Sequence, residues 1–315
     1  MSVSLHAIER SSLSGMALAA VAFALLTSVD IIFKLLAIGG HPTFQILLIN
    51  ACFAMIPILL WTLATGGLSR LITARLPQHL ARGATAVVST FAAVYAYSRL
   101  PLTDFYAIMF AGPLVVTGLA AFWLGEHIEP ARWAAIGLGF IGIIVVTNPL
   151  ASPLLKVHHA ALNPHEAAAL MGRFAAFVSV FCYALSVIMI RRMRGAETNM
   201  SFSFYGFLAC VLITGALSLL QGAPPMALND IVRLAVSGTM AGVASICMMT
   251  AYHRTPVALV APFQYTQIIW GALAGYLIWQ HVPSHHLMAG SAIVAASGLY
   301  VIHREMVGRQ IGIRE

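Results

Sequence analysis

Charged side chains are scarce in this 315-residue chain. They make up 9% of it, against about a quarter in an ordinary soluble domain, while hydrophobic residues account for 60%. A composition this poor in charge excludes a soluble globular protein and predicts a chain whose solvent is lipid. The strict alternation of apolar and polar residues that marks an outer-membrane barrel is also lacking, which favours membrane-spanning helices.

The chemical groups of several enzyme classes are missing as well. The four cysteines are scattered without metal-ligand spacing and are interpreted as packing residues: Cys52, Cys182, Cys210 and Cys247. The chain has no Gly-x-x-x-x-Gly-Lys-Ser/Thr loop, no His-Glu-x-x-His motif and no Gly-x-Ser-x-Gly motif. We therefore predict no catalytic residue, no metal site and no cofactor, and an intramembrane enzyme is only a remote alternative.

Uncharged runs predict the membrane spans. Nine runs between successive charged residues approach or exceed the roughly 20 apolar residues that a spanning helix needs. The last run, residues 255–303, is long enough for two helices and is interrupted by Gln280-His281-Val282-Pro283. The sequence therefore predicts an all-α integral membrane protein with ten transmembrane helices.

The basic residues are distributed unevenly between the predicted loops. With both termini in the cytoplasm, twelve Lys and Arg residues fall in cytoplasmic segments, Arg70, Arg75 and Arg82 among them, and four fall in outer segments. The positive-inside rule then places both termini in the cytoplasm, and the cell inner membrane is the expected location. The net charge of +7 follows from this asymmetry, so we expect contact with membrane lipid and none with nucleic acid.

Two stretches of the chain repeat each other. The segment from Ala96 to Pro101 (AYSRLP) returns from Ala251 to Pro256 (AYHRTP), at an offset of 155. We predict two five-helix repeats, residues 14–148 and 168–303, joined by a periplasmic linker, 149–167, and followed by a cytoplasmic tail, 304–315. Because five is odd, the second repeat is inverted relative to the first, which is the architecture of alternating-access transport.

Several short motifs resemble a known family. In the first half they are Asp30-x-x-x-Lys34, Leu100-Pro101-Leu102-Thr103-Asp104, Ala111-Gly112-Pro113-Leu114 and Leu124-Gly125-Glu126, and in the second half Ala261-Pro262-Phe263-Gln264-Tyr265-Thr266. Their order is similar to the EamA-domain branch of the drug/metabolite transporter superfamily over nearly the whole chain. The resemblance implies a ten-helix transporter of small organic solutes. Asn50 departs from it, because many members carry Arg in this part of the second helix, and so does Gln280, which stands in place of the carboxylate after the ninth helix.

The first predicted span carries two charges at membrane depth. Asp30 and Lys34 are four residues apart, so they share one face of a helix and can pair. Ionisable groups at this depth mark a functional site by default. Asp30 could line the pathway, where it would bind a substrate amine or carry a proton, or could form a structural pair with Lys34. Lys34 could bind a substrate carboxylate or reach the lipid headgroups.

Further polar and aromatic residues complete the predicted substrate pathway. Asp104 begins the fourth helix, where it either caps the helix or gates the outer mouth. The ninth helix has the most polar interior, and Gln264 and Gln267 fall on one face at helical spacing. Packing competes with a pathway role for the remaining candidates: Asn50, Tyr97, Tyr183, Tyr252, Tyr265 and Trp270.

Together these residues predict a secondary active transporter that moves a small organic metabolite across the inner membrane. The preferred interpretation is export of an amino-acid-like or opine-type (metallophore) solute. Import of a metabolite such as S-adenosylmethionine or riboflavin is the alternative. The identity of the solute and the coupling ion stay open, as does the choice between a monomer and a homodimer.

Overall fold

The computed structural model describes residues 2–124, 130–147, 164–193, 197–255 and 260–311. Within these ranges the chain forms eleven α-helices, two short 3₁₀ helices and no β-strand, so the predicted all-α fold is confirmed. The sequence interpretations that concern Glu126, Pro256 and most of the 149–167 linker fall outside the described residues.

The helices follow one another with short connections. The first half of the chain contains α1 (Ser2–Ile38), α2 (Thr43–Thr65), a 3₁₀ helix (Leu68–Leu71), α3 (Leu76–Tyr97), α4 (Leu102–Met109), α5 (Gly112–Leu124) and α6 (Pro130–Thr147). The second half contains α7 (Pro164–Met193), α8 (Asn199–Gln221), α9 (Leu228–Arg254), a second 3₁₀ helix (Ala261–Tyr265), α10 (Thr266–Trp279) and α11 (His285–Ile311). Helices α4 and α5 together form one apolar span, Leu102–Trp123, and with that pair counted once the described helices agree with the ten predicted spans.

Six of the described segments are long and apolar enough to cross a membrane on their own. They are Leu13–Ile38, Thr43–Thr65, Leu102–Trp123, Pro164–Met193, Met200–Gln221 and Leu228–Arg254. Helix α3 is not among them, because its first two turns carry the polar residues Gln78, His79 and Arg82. A polar entrance to an otherwise apolar helix is expected where the helix faces protein or water rather than lipid.

The chain divides into two compact units, and each draws helices from both halves. Unit 1 comprises Met1–Phe91 and Met189–Gln267. In it α1 and α2 pack along α9, and α2 also packs along α8. Helices α2 and α9 approach closely at Gly238, where a Cβ atom would clash with the backbone oxygen of Asn50. Such close approach lets backbones touch, as is common between membrane helices.

Unit 2 comprises Ala92–Ile188 and Ile268–Glu315. Its main helix pair is α6 and α11, and α4 packs against both. Ala107, Val146 and Leu287 form one buried cluster at this contact. A second cluster joins α5 to α7 through Val116, Ala120, Ala184 and Ile188. The core of this unit is therefore built from apolar packing.

Helix interruptions occur at matching places in the two halves. Helix α4 ends at Met109 and α5 begins at Gly112, with Pro113 as its second residue. Proline lacks the N–H that would continue a helix. In the second half the 3₁₀ helix ends at Tyr265 and α10 begins at Thr266. The 155-residue offset takes Phe110 to Tyr265, so the two interruptions correspond.

Candidate functional site

Unit 1 contains a cavity of about 330 Å³, which is within the size range of small-molecule sites. Helices α1, α2 and α3 contribute to its wall from the first half of the chain, and α7, α8 and α9 contribute from the second. The apolar lining consists of Phe33, Leu47, Ala51, Ala86, Val87, Ile190, Phe202, Gly206 and Phe207. The polar lining consists of Asn50, Arg82, Thr90, Ser203, Cys210 and Ser245. An apolar wall with a few polar groups is typical of a binding site for an organic molecule.

Arg82 is the charged residue of this lining. It lies in the second turn of α3 and is only 6% exposed. Its Nη2 donates a hydrogen bond to the backbone oxygen of Phe202 at 2.6 Å, and its guanidinium carbon lies 5.8 Å from the centroid of the Phe202 ring. Its Nε is buried and has no hydrogen-bond partner among the described residues. No described carboxylate forms an ion pair with it, so Arg82 is a buried cation without a counter-ion in this part of the chain.

Most other polar groups of the lining already donate to the protein. Thr90 Oγ1 donates to the backbone oxygen of Ala86 at 3.0 Å. Asn50 Nδ2 donates to Ser237 Oγ at 2.8 Å. The hydroxyls of Ser203 and Ser245 lie 2.7 Å apart and join α8 to α9. Arg82 differs from these groups, because it carries a full positive charge and its buried Nε has no hydrogen-bond partner among the described residues.

The uncharged runs predict that the third span starts after Arg82, because each run ends at a charged residue. In the structure α3 begins at Leu76 and buries the Arg82 side chain in its second turn, so the helix starts earlier than predicted. The orientation of the termini stays a prediction.

Asn50 is the predicted pathway residue that also lines the cavity. Asp30 and Lys34 lie on α1 on either side of Phe33, which lines it too. Asp30 is half-buried and Lys34 is 4% exposed. The suggestion that Lys34 reaches the headgroups is wrong, because a side chain that reached the headgroups would be exposed at the helix end.

The other predicted residues of unit 1 lie near its last segments. Tyr252 is exposed near the end of α9. Gln264, Tyr265 and Gln267 are half-buried. Gln264 belongs to the 3₁₀ helix and Gln267 to α10, so the α-helical spacing used to place them on one face does not apply across that junction.

Four predicted residues fall in unit 2. Tyr97 is fully buried, with its ring edge-on to Phe105 at 5.3 Å. Tyr183 is partly exposed, and its ring would contact a Cβ atom at Gly112, while Trp270 is exposed. Asp104 does not cap α4, because the N-cap residue is Pro101. The carboxylate lies in the first turn instead, where it interacts favourably with the helix dipole.

A second polar group of unit 1 lies one turn before Arg82; we name it the Glu197 cluster (Thr73, His79, Glu197 and Ser201). Glu197 Oε1 accepts a hydrogen bond from Thr73 Oγ1 at 2.5 Å. Its Oε2 accepts one from Ser201 Oγ at 3.2 Å and lies 3.2 Å from His79 Nε2. Burial alone would raise the pKa of Glu197, but the hydrogen bonds from Thr73 and Ser201 and the nearby His79 ring outweigh it and lower the pKa below its ordinary value.

The His79 ring is fully buried between two aromatic side chains. Its centroid lies 5.2 Å from that of Phe202 and 4.7 Å from that of Tyr205. The next residue after Glu197, Thr198, caps α8 by accepting a hydrogen bond from the Ser201 backbone N–H at 3.1 Å, and its hydroxyl donates to the Arg70 backbone oxygen at 2.9 Å. The cluster thus fastens the start of α8 to the segment that leads into α3.

A model of the EamA-like transporter family matches residues 13–148 and 170–303. The chain belongs to the EamA-like transporter family. The resemblance noted in the motifs is thereby confirmed, together with the multi-span membrane class and an internally repeated architecture. The walls of the unit 1 cavity come from both matched ranges of this transporter: Phe33, Asn50 and Arg82 belong to the first, and Phe202, Ser203 and Ser245 to the second.

Curated relatives of this EamA-like protein carry the names of transporters. A riboflavin transporter of Rhizobium johnstonii is 26% identical over 229 residues, which are 73% of this chain and 71% of that one. An S-adenosylmethionine uptake transporter of Rickettsia bellii is 24% identical over 276 residues, 88% of this chain and 89% of that one. A pseudopaline exporter of Pseudomonas aeruginosa is 24% identical over 221 residues, 70% and 73% of the two chains.

A solved crystal structure shares the fold of this EamA-like transporter. It superposes with a TM-score of 0.60 and covers 96% of this chain and 99% of its own. The sequence identity is 16%, so the likeness concerns the fold alone. The names of the relatives agree with a transporter that handles small molecules.

Proposed function

We propose that this EamA-like transporter is a secondary active carrier that binds a small organic metabolite in the unit 1 cavity and moves it across the inner membrane by alternating access. One observation carries the proposal: the cavity wall is built from residues of both matched ranges. Carriers with inverted repeats bind their substrates where the repeats meet. The cavity volume of about 330 Å³ suits a metabolite rather than a macromolecule.

The repeat arrangement belongs to this proposal. Residues 14–148 and 168–303 form the two halves, inverted relative to each other, with both termini in the cytoplasm. The matched family ranges and the corresponding helix interruptions at Phe110 and Tyr265 support this division. Inversion would let one packing open the site to each side of the membrane in turn.

The driving force is a gradient of an ion or a solute, since the chain has no nucleotide-binding loop. We favour export of an amino-acid-like or opine-type solute, and the pseudopaline exporter among the relatives supports this direction. Import is the second candidate, supported by the riboflavin and S-adenosylmethionine transporters at similar identity. In either direction the solute leaves chemically unchanged, as a carrier rather than an enzyme requires.

Two measurements test the carrier assignment. Purified protein in liposomes is expected to move solute without changing it, whereas recovery of a chemically altered product would contradict the proposal. Metabolite profiling of a deletion strain and its parent gives the direction. A metabolite trapped in the cytoplasm indicates export, and a medium component no longer taken up indicates import.

Asp30 gives a residue-level test. Asp30→Asn is expected to abolish transport while membrane insertion stays intact, because the variant keeps the shape of the side chain and loses its charge at membrane depth. Asp230→Asn is the matched control: this acid lies in the first turn of α9, where it pairs with His41 and Arg233, so transport by this variant is expected to persist. Normal transport by Asp30→Asn would assign the acid to packing.

A further inference from the structure

Arg82 differs from Arg70, Arg75 and Arg233 of unit 1 in its surroundings. Arg70 and Arg75 are exposed in the segment before α3, and Arg233 is exposed and paired with Asp230. Arg82 is buried and lines a cavity, and its Nε has no hydrogen-bond partner among the described residues. A chain poor in charge has thus placed a full positive charge where a bound molecule would lie.

We propose that Arg82 binds an anionic group of the transported solute, so that the cavity selects molecules that join a carboxylate to an apolar or aromatic body. This inference rests on the proposed function of the cavity and adds the chemical class of its solute. Phe33, Phe202 and Phe207 supply the apolar wall. Arg82 supplies the charge.

The electrostatics of the cavity favour an anion. A buried charge is costly unless an opposite charge and hydrogen bonds compensate it, and the hydrogen-bond partner of Arg82 among the described residues is a neutral backbone oxygen. A carboxylate in the cavity would provide the missing opposite charge, and guanidinium groups suit planar oxyanions. The described lining contains no acidic residue, so an amine bound there would meet only the repelling charge of Arg82.

The guanidinium is held in place from one side. Its Nη2 is fixed by the Phe202 backbone oxygen, and Gly206 leaves the space that the group occupies, because a Cβ atom there would lie 2.7 Å from Nη2. Nε stays without a partner. A purely structural Arg82 would account for the bond to Phe202, but not for a charge beside a cavity that has no counter-ion among the described residues.

The test uses pairs of probes that differ only in charge. Purified full-length protein is titrated with benzoate and benzamide, with N-acetylphenylalanine and N-acetylphenylalaninamide, and with N-acetylleucine and N-acetylleucinamide. The wild type is expected to bind the carboxylate of at least one pair at least tenfold more tightly than its amide. Equal affinity within every pair, or no binding of any carboxylate, would overturn the inference without requiring any variant.

Variants then locate the preference. Arg82→Gln is expected to lose at least tenfold in carboxylate affinity with amide affinity unchanged, and Arg82→Lys to keep part of the preference. Gly206→Ala should weaken carboxylate binding several-fold by displacing the guanidinium. Gly215→Ala is the matched control in the same helix, since its nearest atom would be Leu48 Cδ1 at 3.8 Å. A preference that survives in Arg82→Gln would overturn the assignment.

Liposome flux separates this inference from the proposed function. Carboxylate binding that depends on Arg82, with no flux of any solute, would support the binding site and contradict the carrier. Flux of a neutral solute that does not depend on Arg82 would support the carrier and contradict the inference. The cavity is expected to disfavour uncharged solutes such as riboflavin and to favour amino-acid-like ones.

Discussion

One turn of α3 separates two buried polar groups that differ in their charge partners. In the Glu197 cluster a carboxylate contacts Thr73, Ser201 and the fully buried His79. Three residues after His79, Arg82 is also buried, but no described carboxylate pairs with it. A buried charge without an opposite charge costs free energy. The difference agrees with a structural role for the cluster and with the ligand-binding role proposed for Arg82.

Phe202 connects the two groups. Its ring contacts the His79 ring and lies near the Arg82 guanidinium, and its backbone oxygen accepts the Arg82 hydrogen bond. The Glu197 cluster thus positions the start of α8, and the start of α8 in turn positions Arg82. Packing and hydrogen bonds to neighbouring residues of this kind hold a binding group in a fixed position.

Glu197→Ala should give the largest loss of stability, and it tests the comparison between the Glu197 cluster and Arg82 most directly. Removing the carboxylate leaves Thr73 Oγ1 without its acceptor and takes the opposite charge away from the buried His79, while Ser201 Oγ keeps the Thr198 backbone oxygen as an acceptor at 2.7 Å. Hydrogen bonds to charged groups contribute about 1.5–3 kcal/mol each. We expect the free energy of unfolding to fall by about 3 kcal/mol, measured by thermal unfolding in detergent. The carboxylate-over-amide preference of the cavity should persist in the molecules that fold.

Glu166→Ala is the control for this substitution. It removes an acid from the exposed first turn of α7, and an exposed surface change is expected to stay within about 0.5 kcal/mol. If Glu197→Ala instead abolished the carboxylate preference with no loss of stability, the division between a fastening cluster and a binding cation would be wrong.

Ser237→Ala addresses Asn50, which belongs both to the cavity lining and to the α2–α9 contact. The substitution leaves Asn50 Nδ2 without its 2.8 Å acceptor, and hydrogen bonds between membrane helices contribute about 1 kcal/mol. We expect a loss of stability of that size and unchanged probe binding. Thr239→Ala in the same helix is the control, because its hydroxyl bonds only to the Ala235 backbone oxygen. Weaker probe binding by Ser237→Ala would indicate that Asn50 contributes to ligand binding and not only to the packing of α2 on α9.

The membrane fold could be predicted from the sequence because its signals are local. Each of these signals can be recognised within a few turns of helix: the uncharged runs of spanning length, the repeated AYSRLP and AYHRTP segments, and the proline at position 113. The helices agree with the predicted spans, and the family match confirms the class. The roles of Asp30, Lys34 and the other pathway candidates stay predictions.

The binding cation and the Glu197 cluster escaped prediction for physical reasons. Dividing the chain at charged residues treats every arginine as the end of a span. That rule could not place an arginine inside α3. The cluster joins Thr73 to Glu197 across 124 residues, and no local pattern encodes that contact. The structure starts α3 at Leu76, six residues before Arg82. A predicted helix start at that position would have placed Arg82 within the span.

The pH dependence of the Glu197 cluster should give the smallest effect. Because the folded state lowers the pKa of Glu197 below its ordinary value of 4.5, the stability it contributes is fully present above about pH 4.5 and is lost as the pH falls through the lower folded value. The difference in unfolding temperature between the wild type and Glu197→Gln should therefore shrink as the pH falls below about 4.5. Glu166→Gln, measured over the same range, accounts for general effects of acid on the protein and the detergent. A difference that grows on acidification would mean that the cluster stabilises the protonated carboxyl more than the carboxylate. Glu197 could then not be contrasted with Arg82 as a buried charge that has its partner.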